Sequence, residues 1–458
     1  MKQRRRAARS LIPVSVCAAV MLVVWFFWFR EPVIAPGVRI GGVDVGNMTA
    51  GEAKLAVEER IRELSGTRLV LVHGEEQGRI ECECTLAVLG LHAREIPVWE
   101  ALAIGNRAGL YTRYRERKAA EEGRYHLEWT GELSEEAVIS WLKEQAEMFL
   151  VPPENASVSR KDGRFFYTEH EQGKSLLIPE TGKRILEAVS GLTAGDIAAA
   201  GVITVEAVLQ PELPAVTTGI AMRCRSLTGS YTTVFREENT ARANNLANAA
   251  ERLNGTVLYP GEEFSCQDTI GPFTEENGYM GAGSYSGGQM VESVGGGVCQ
   301  LSSTLYNAVL AAELTVTERT PHSMTVGYVP LARDAAIAWG YKDFRFVNSS
   351  EVPVYVEAET KNGELTVRIW GEETRGENRQ IRFESVIVKE IIPGDPVITV
   401  DSSKPAGYFE VTQEAKNGYE AELYKVILID GEEAGRELVN KSSYAASPAQ
   451  ITTGGAGR

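Results

Sequence analysis

The chain has 458 residues, 43% of them hydrophobic, and a formal net charge of −15, which is enough for about three domains with real cores. Residues 1–30 hold six Lys/Arg and no acid, so the remainder carries 41 basic against 62 acidic side chains, a net of −21. That balance excludes nucleic acid as a partner, since phosphate binding needs a basic face, and it leaves recognition to sugar or peptide contacts.

At the start of the chain Lys2, Arg4, Arg5, Arg6 and Arg9 precede an uncharged run over residues 11–29 that ends Val23-Val24-Trp25-Phe26-Phe27-Trp28-Phe29. A run of this length can span a bilayer as a helix, and the basic cluster before it holds the N-terminus in the cytoplasm. No small-x-small cleavage site closes it, so an uncleaved anchor is expected over a cleaved signal peptide. Residues 1–37 then read as cytoplasmic segment, anchor and link, giving a single-pass protein of the cell membrane with its bulk outside the cell.

Residues 38–210 read as one α+β module written twice. In the first copy, strand-like Val38 to Val45 leads to Thr49-Ala50-Gly51-Glu52, a capping-box signal. A helix follows with Ala53, Val57, Ile61 and Leu64 on one face, then a hairpin around Gly74 to Gln77 and a short helix over residues 97–104. The second copy places a strand at residues 126–129, a capped helix at 134–150, a hairpin turning at Lys161-Asp162-Gly163, a helix at 180–189 and a strand at 202–208. Two similar surfaces suit a binding module or a stalk. With Ile40-Gly41-Gly42-Val43-Asp44-Val45-Gly46-Asn47-Met48-Thr49 as its opening, this region resembles the peptidoglycan-binding domain family of Gram-positive surface proteins.

Pro211 and Pro214 mark a linker, and the next unit covers residues 216–373. Its helix over residues 239–253 precedes a glycine-rich stretch in which Gly295, Gly296 and Gly297 deliver Cys299 to a helix start carrying Leu301, Leu305, Ala308, Val309 and Ala312 on one stripe. Glycine permits close backbone approach, and a helix N-terminus favours a thiolate. His322 is the one histidine of the C-terminal half. Strand-like runs follow at residues 324–329, 335–339, 344–347, 352–357 and 365–370, an α+β layout with the cysteine helix on a sheet.

Two readings of this constellation stand side by side. In one, Cys299 is a nucleophile, His322 its base, and Asp334 or Asp343 the carboxylate that orients the imidazole, with backbone N–H groups around Val298 to Gln300 as an oxyanion site. In the other, Cys299 is a small buried hydrophobe and the region is structural or binds a ligand without chemistry, with Gly295, Gly296, Gly297, Gln300, Arg242 and Asn245 as the ligand contacts. Cysteine, histidine and aspartate in that order are similar to transglutaminase-like and papain-like hydrolases.

The motifs Arg242-x-x-Asn245, Pro260-Gly261-Glu262-x-Phe264-Ser265, Gly271-Pro272, Asn277-Gly278-Tyr279, Gly295 to Asn307, Arg319-x-x-His322-Ser323, Tyr328-Val329-Pro330 and Arg333-Asp334-Ala335 occur in order. Residues 220–372 thereby resemble the VanW family, exported proteins first named from vancomycin-resistance clusters. Cys266 departs from the pattern and leaves a pairing with Cys299 open.

Residues 377–455 are strand-rich, with turns at Pro393-Gly394-Asp395, Asn417-Gly418 and Asp430-Gly431 and a tail from Thr452 onward that reads as disordered. They resemble the five-glycine (G5) domain of wall-associated proteins, although Ala415 stands where a glycine is usual.

The remaining cysteines, Cys17, Cys82, Cys84 and Cys224, form no disulfide framework, since Cys82 and Cys84 on one strand would lie roughly 7 Å apart. The five histidines are scattered, so no metal and no cofactor are expected. The resulting expectation is an α+β multidomain protein with an N-terminal transmembrane helix and an all-β C-terminal domain. It would bind peptidoglycan or another cell-wall glycan. The alternative is a Cys299-dependent amidase or transpeptidase acting on stem peptides.

Overall fold

A computed structural model describes residues 31–75, 78–107, 109–286 and 289–455. The transmembrane helix expected over residues 11–29 lies outside the described residues, and among those described no helix is long and apolar enough to cross a membrane. The longest described helix, Ala50–Leu64, has 15 residues and buries only one face. At about 1.5 Å per residue it falls short of the roughly 30 Å hydrocarbon core. The fold class is therefore corrected to a mixed α+β multidomain chain with an all-β C-terminal region, and the expected single-pass membrane localisation is not supported by any described helix.

The chain forms two compact units, one running to Pro152 and including Gln172–Glu212, the other combining Pro153–Glu171 with everything from Leu213. In the first, Thr49 caps the Ala50–Leu64 helix in a full capping box with Glu52, and Ala53, Val57, Ile61 and Leu64 are its buried face. The two copies read from the sequence are interleaved rather than independent. Arg39–Ile40 pairs in parallel with His126–Leu127, and Val202–Glu206 pairs in parallel with Arg68–His73, which also pairs with Ile80–Thr85. Each copy thus completes its sheet with a strand of the other, and one apolar core serves both. The Ser157–Lys161/Arg164–Thr168 hairpin packs within the second unit.

The second unit is built on a four-stranded antiparallel sheet in the order Ser226–Val234, Glu364–Gly371, Val354–Lys361, Thr256–Leu258. The Thr240–Leu253 and Cys299–Ala311 helices share its apolar core. A smaller sheet joins Glu263–Ser265, Arg345–Val347 and Thr315–Glu318. The expected strands at residues 324–329 and 335–339 do not form; residues 319–343 cross the molecule as irregular chain with a single bridge, Ala338 to Lys342.

That segment is held by a polar stripe on the cysteine helix instead of by a ladder. Ser302 Oγ donates to the Ala335 carbonyl (2.7 Å), Ser303 Oγ accepts from the Ala335 N–H (2.9 Å), and Asn307 Nδ2 donates to the Arg333 carbonyl (2.7 Å). Ser302, Ser303 and Asn307 are all fully buried, so each bond closes a group that would otherwise cost about 1–3 kcal/mol unpaired.

The C-terminal strands form two three-stranded sheets, Arg379–Ile391/Gly418–Ile429/Glu432–Tyr444 and Val397–Asp401/Gln450–Gly454/Phe409–Gln413. Asp430 (φ 52°) and Gly431 (φ 85°) make the tight turn that their sequence predicts. The stretch expected as a disordered tail is a strand through Gly454, paired in parallel with Val397–Asp401. Ala421, Leu423 and Tyr444 extend the core of the four-stranded sheet.

Candidate active site

Cys299 is the first residue of its helix, and the turn before it needs its glycines. A Cβ on Gly296 would lie 2.2 Å from the Ala282 carbonyl oxygen, and Gly297 has φ 103°, a conformation that side chains rarely tolerate. Asn245 ties this turn to the neighbouring strand: Nδ2 donates to the carbonyls of Met280 (2.9 Å) and Gly296 (3.0 Å), and Oδ1 accepts from the Met280 N–H (2.7 Å).

The Cys299 thiol can donate to the Ile337 carbonyl at 3.4 Å, and its side chain is also in hydrogen-bonding reach of His322. His322 Nδ1 lies 2.6 Å from Asp334 Oδ2, which also accepts the His322 backbone N–H at 2.7 Å. Two bonds to one carboxylate oxygen fix the ring orientation and leave Nε2 free of the carboxylate. The hydroxyl of Tyr328 lies 3.4 Å from that Nε2.

Asp334 is 1% exposed, and a buried charge must be matched from several sides. Arg319 donates to Oδ1 at 3.0 Å and to the Asp334 backbone carbonyl at 2.7 Å. Tyr444, from the far C-terminal strand, donates its hydroxyl to the same Oδ1 at 2.5 Å. Arg319 is gripped from behind by Ser442 Oγ (2.8 Å) and Asn440 Oδ1 (3.2 Å).

The electrostatics follow from this geometry. Burial works against a charged His322, but the hydrogen bond to Asp334 and the Cys299 partner outweigh it and raise the imidazole to about 9. Burial likewise opposes a Cys299 thiolate, and the hydrogen bond and charge of His322 overcome it, with Arg242 adding to the effect, so the thiol falls below its ordinary 9.0. Asp334 is held low because its contacts with His322 and Arg319 exceed its desolvation. Burial, then the Cys299 charge, push Tyr328 well above 10, so its hydroxyl stays neutral. Cysteine and histidine thus each favour the other's charged form, thiolate beside imidazolium.

Of the residues singled out in the sequence, Cys299, His322 and Asp334 come together. Asp343 does not: its carboxylate accepts from Ser265 Oγ (2.6 Å) and the Gln267 N–H (2.9 Å) and pairs with Arg345 (3.0 Å), fixing the smaller sheet. Gln300 and Asn245 are buried and fully engaged within the protein, Gln300 accepting from Arg242 (2.8 Å) and donating to Thr233 Oγ1 (3.0 Å) and the Val234 carbonyl (2.9 Å). They shape the turn from within the core. Gly295 and Gly296 pack against Phe273 and Ala282. Arg242 keeps a part-exposed position beside Gly297. Of the three amides expected as an oxyanion site, those of Val298 and Gln300 bond to the Gly295 and Gly297 carbonyls, which leaves that of Cys299 as the candidate.

Cys266 and Cys299 are both free thiols, with Cys266 fully buried. Sequence reasoning overlooked Tyr444, Arg319 and Tyr328 as partners of the site. Among the described residues, no cluster of histidine, cysteine and acidic side chains could hold a metal.

Three domain families match this chain in succession: "Putative peptidoglycan binding domain" over residues 94–198, "VanW like protein" over 241–370 and "G5 domain" over 384–456. The uncharacterized protein YoaR of Bacillus subtilis is 38% identical over 142 residues, covering 31% of this chain and 47% of that protein. Vancomycin B-type resistance protein VanW of Enterococcus faecalis is 30% identical over 112 residues, covering 23% of this chain and 41% of that one. The matches thus span less than half the length of either relative. A solved IgA1 protease G5 domain is 27% identical, covers 17% of this chain and 89% of its own, and has a TM-score of 0.13. Residues 241–370 are thus similar to VanW-like proteins, with a match to a peptidoglycan-binding domain family before them and to the G5 domain family after them.

Proposed function

We propose that this chain is a cell-wall-associated protein in which Cys299, His322 and Asp334 carry out thiol-dependent acyl transfer on an amide of the peptidoglycan stem peptide. The observation that carries the proposal is the His322 imidazole held by Asp334 at 2.6 Å beside a cysteine whose thiol it acidifies. The match to a peptidoglycan-binding domain family before the cysteine unit supports this substrate class, because such a domain would hold the chain against peptidoglycan.

In the proposed reaction the Cys299 thiolate attacks the amide carbonyl carbon, and the oxyanion that forms is met by the Cys299 N–H at the helix start. The C–N bond then breaks as the His322 imidazolium gives its proton to the departing amine, leaving a thioester on Cys299 and a neutral imidazole. Water or an acceptor amine, deprotonated by that imidazole, attacks the thioester and expels the thiolate; water completes an amidase cycle, an amine a transpeptidase cycle. Asp334 keeps the ring in the tautomer both half-reactions need.

The test is Cys299→Ala in the full chain, scored by muropeptide composition after incubation with purified peptidoglycan, with sedimentation binding to the same material alongside. Lost turnover with retained binding supports acyl transfer. Unchanged turnover sinks it, and if neither protein alters the muropeptides, binding alone is the function.

A further inference from the structure

The boundary between the VanW-like and G5 families falls between residues 370 and 384, yet the hydrogen bonds around Asp334 cross it. Tyr444 is 1% exposed, and its hydroxyl donates to Asp334 Oδ1 at 2.5 Å while accepting the Ala332 N–H at 2.7 Å. The next residue, Ala445, donates its N–H to the Ser323 carbonyl at 2.8 Å, directly beside His322. Two further residues of the same strand reach the site through Arg319, whose guanidinium touches Asn440 and Ser442 on one side and Asp334 on the other. Asn440 also donates to the Tyr306 hydroxyl (2.8 Å) and the Ala332 carbonyl (3.0 Å). The end of the Glu432–Tyr444 strand therefore closes over the carboxylate on the face opposite His322.

We infer that Tyr444 is a positioning residue of the Cys299 centre, and that the C-terminal strands are part of the reaction site as well as a wall-binding module. The inference rests on the acyl-transfer reading above. Its physical basis is the number of donors that a buried carboxylate requires. With His322 on Oδ2, the Oδ1 atom is held by Arg319 and Tyr444, and without the tyrosine hydroxyl Oδ1 keeps only Arg319, so the carboxylate is less firmly oriented and more easily protonated. Either change weakens its hold on the imidazolium and, through it, on the thiolate. A purely architectural tyrosine would act through its ring, which Phe preserves.

The experiment compares full-length wild type, Tyr444→Phe, an Asn440→Ala/Ser442→Ala double variant and Tyr424→Phe as a control, since the Tyr424 hydroxyl in the same sheet donates to Glu422 rather than to Asp334. Two readouts are taken: kcat and KM on soluble muropeptides, and the pH dependence of Cys299 alkylation by iodoacetamide. Tyr444→Phe is expected to lower kcat by about 10–100-fold with KM within about twofold, and to move the alkylation midpoint to higher pH by about half a unit or more. The double variant, acting through Arg319, moves both in the same direction by less, and Tyr424→Phe leaves both unchanged.

Wild-type kcat and an unmoved alkylation midpoint in Tyr444→Phe would overturn the inference, as would an effect confined to KM. If Tyr444→Phe does not fold, the double variant decides it on the same two readouts. Alkylation needs no turnover, so loss of the acyl-transfer reading, seen as activity surviving Cys299→Ala, is separable from loss of the positioning role.

Discussion

Among the described cysteines, iodoacetamide should find Cys299 first. Burial pushes Cys82 up to about 11 and, ahead of neighbouring charges, Cys84 to about 12; burial alone takes Cys224 to about 12 and, before other causes, Cys266 well above 9.0. Cys299 alone moves down. At pH 7 a thiol at 11 is ionised to roughly one part in ten thousand, whereas one at 9.0 is ionised to about one part in a hundred. Cys299, lying below 9.0, therefore holds at least about a hundredfold more thiolate than Cys82. A less basic thiolate is intrinsically a poorer nucleophile, with a Brønsted slope of about 0.5, which returns about tenfold of that advantage over two units. A rate advantage of about tenfold or more remains for equal access. The assay is peptide-resolved mass spectrometry of the native chain after short labelling pulses from pH 5 to 10. Labelling of Cys299 should rise through a midpoint below 9.0 and then hold level, because alkylation needs the thiolate and not the imidazolium. His322→Ala removes the main acidifying partner and leaves burial opposed only by the Ile337 backbone contact and Arg242, so the midpoint should move to higher pH. Labelling of Cys82 or Cys224 ahead of Cys299, or a Cys299 midpoint unmoved in His322→Ala, would refute the reasoning.

Turnover should behave differently from labelling at high pH. It also needs the imidazolium as acid, so kcat/KM on soluble muropeptides should rise with thiolate formation and fall as pH passes about 9, where His322 loses its proton. Asp334→Asn should cut kcat by about a hundredfold or more, whereas Asp343→Asn, which loosens Ser265 and Gln267, should lower the thermal midpoint and leave the Cys299 labelling profile unchanged. Gly296→Ala drives a methyl group into the Ala282 carbonyl at 2.2 Å and should cost about 1–3 kcal/mol in urea unfolding.

The parts of this protein that were legible in the sequence are those fixed by local periodicity or turn chemistry. The Thr49–Glu52 capping box, the buried face of the helix it starts, the Asp430–Gly431 turn and the helix opening at Cys299 depend on residues a few positions apart. The nearness of Cys299 and His322 was legible for a different reason: cysteine and histidine are scarce in this chain, with six of one and five of the other. Residues 324–329 and 335–339 misled because an apolar run looks the same whether a neighbouring strand or a helix's side chains hold it. Here the helix holds it, through Ser302, Ser303 and Asn307. Gln300 and Asn245 misled in the opposite sense, since polar residues near a glycine turn resemble ligand contacts until their partners are seen to be Thr233, Val234, Met280 and Gly296.

A single physical rule links these cases. A buried polar side chain must be paired, and its pairing partner is set by packing rather than by spacing along the chain. Ser302, Ser303, Asn307, Asp334 and Tyr444 are all buried with their polar atoms engaged. Together they run from the cysteine helix through the irregular segment to the last long strand. The segment bearing His322 and Asp334 has almost no backbone ladder of its own, so its shape depends on this side-chain network at both edges. Weakening either edge should loosen the imidazole before it unfolds the sheet. On that argument Ser303→Ala, on the helix side, and Tyr444→Phe, on the strand side, should both shift the Cys299 alkylation midpoint upward. Amide exchange should meanwhile stay slow in the Ser226–Val234 and Glu364–Gly371 strands. Equal loss of protection in those strands and in residues 319–343 would mean that the segment and the sheet melt as one unit, and the network would then be architectural only.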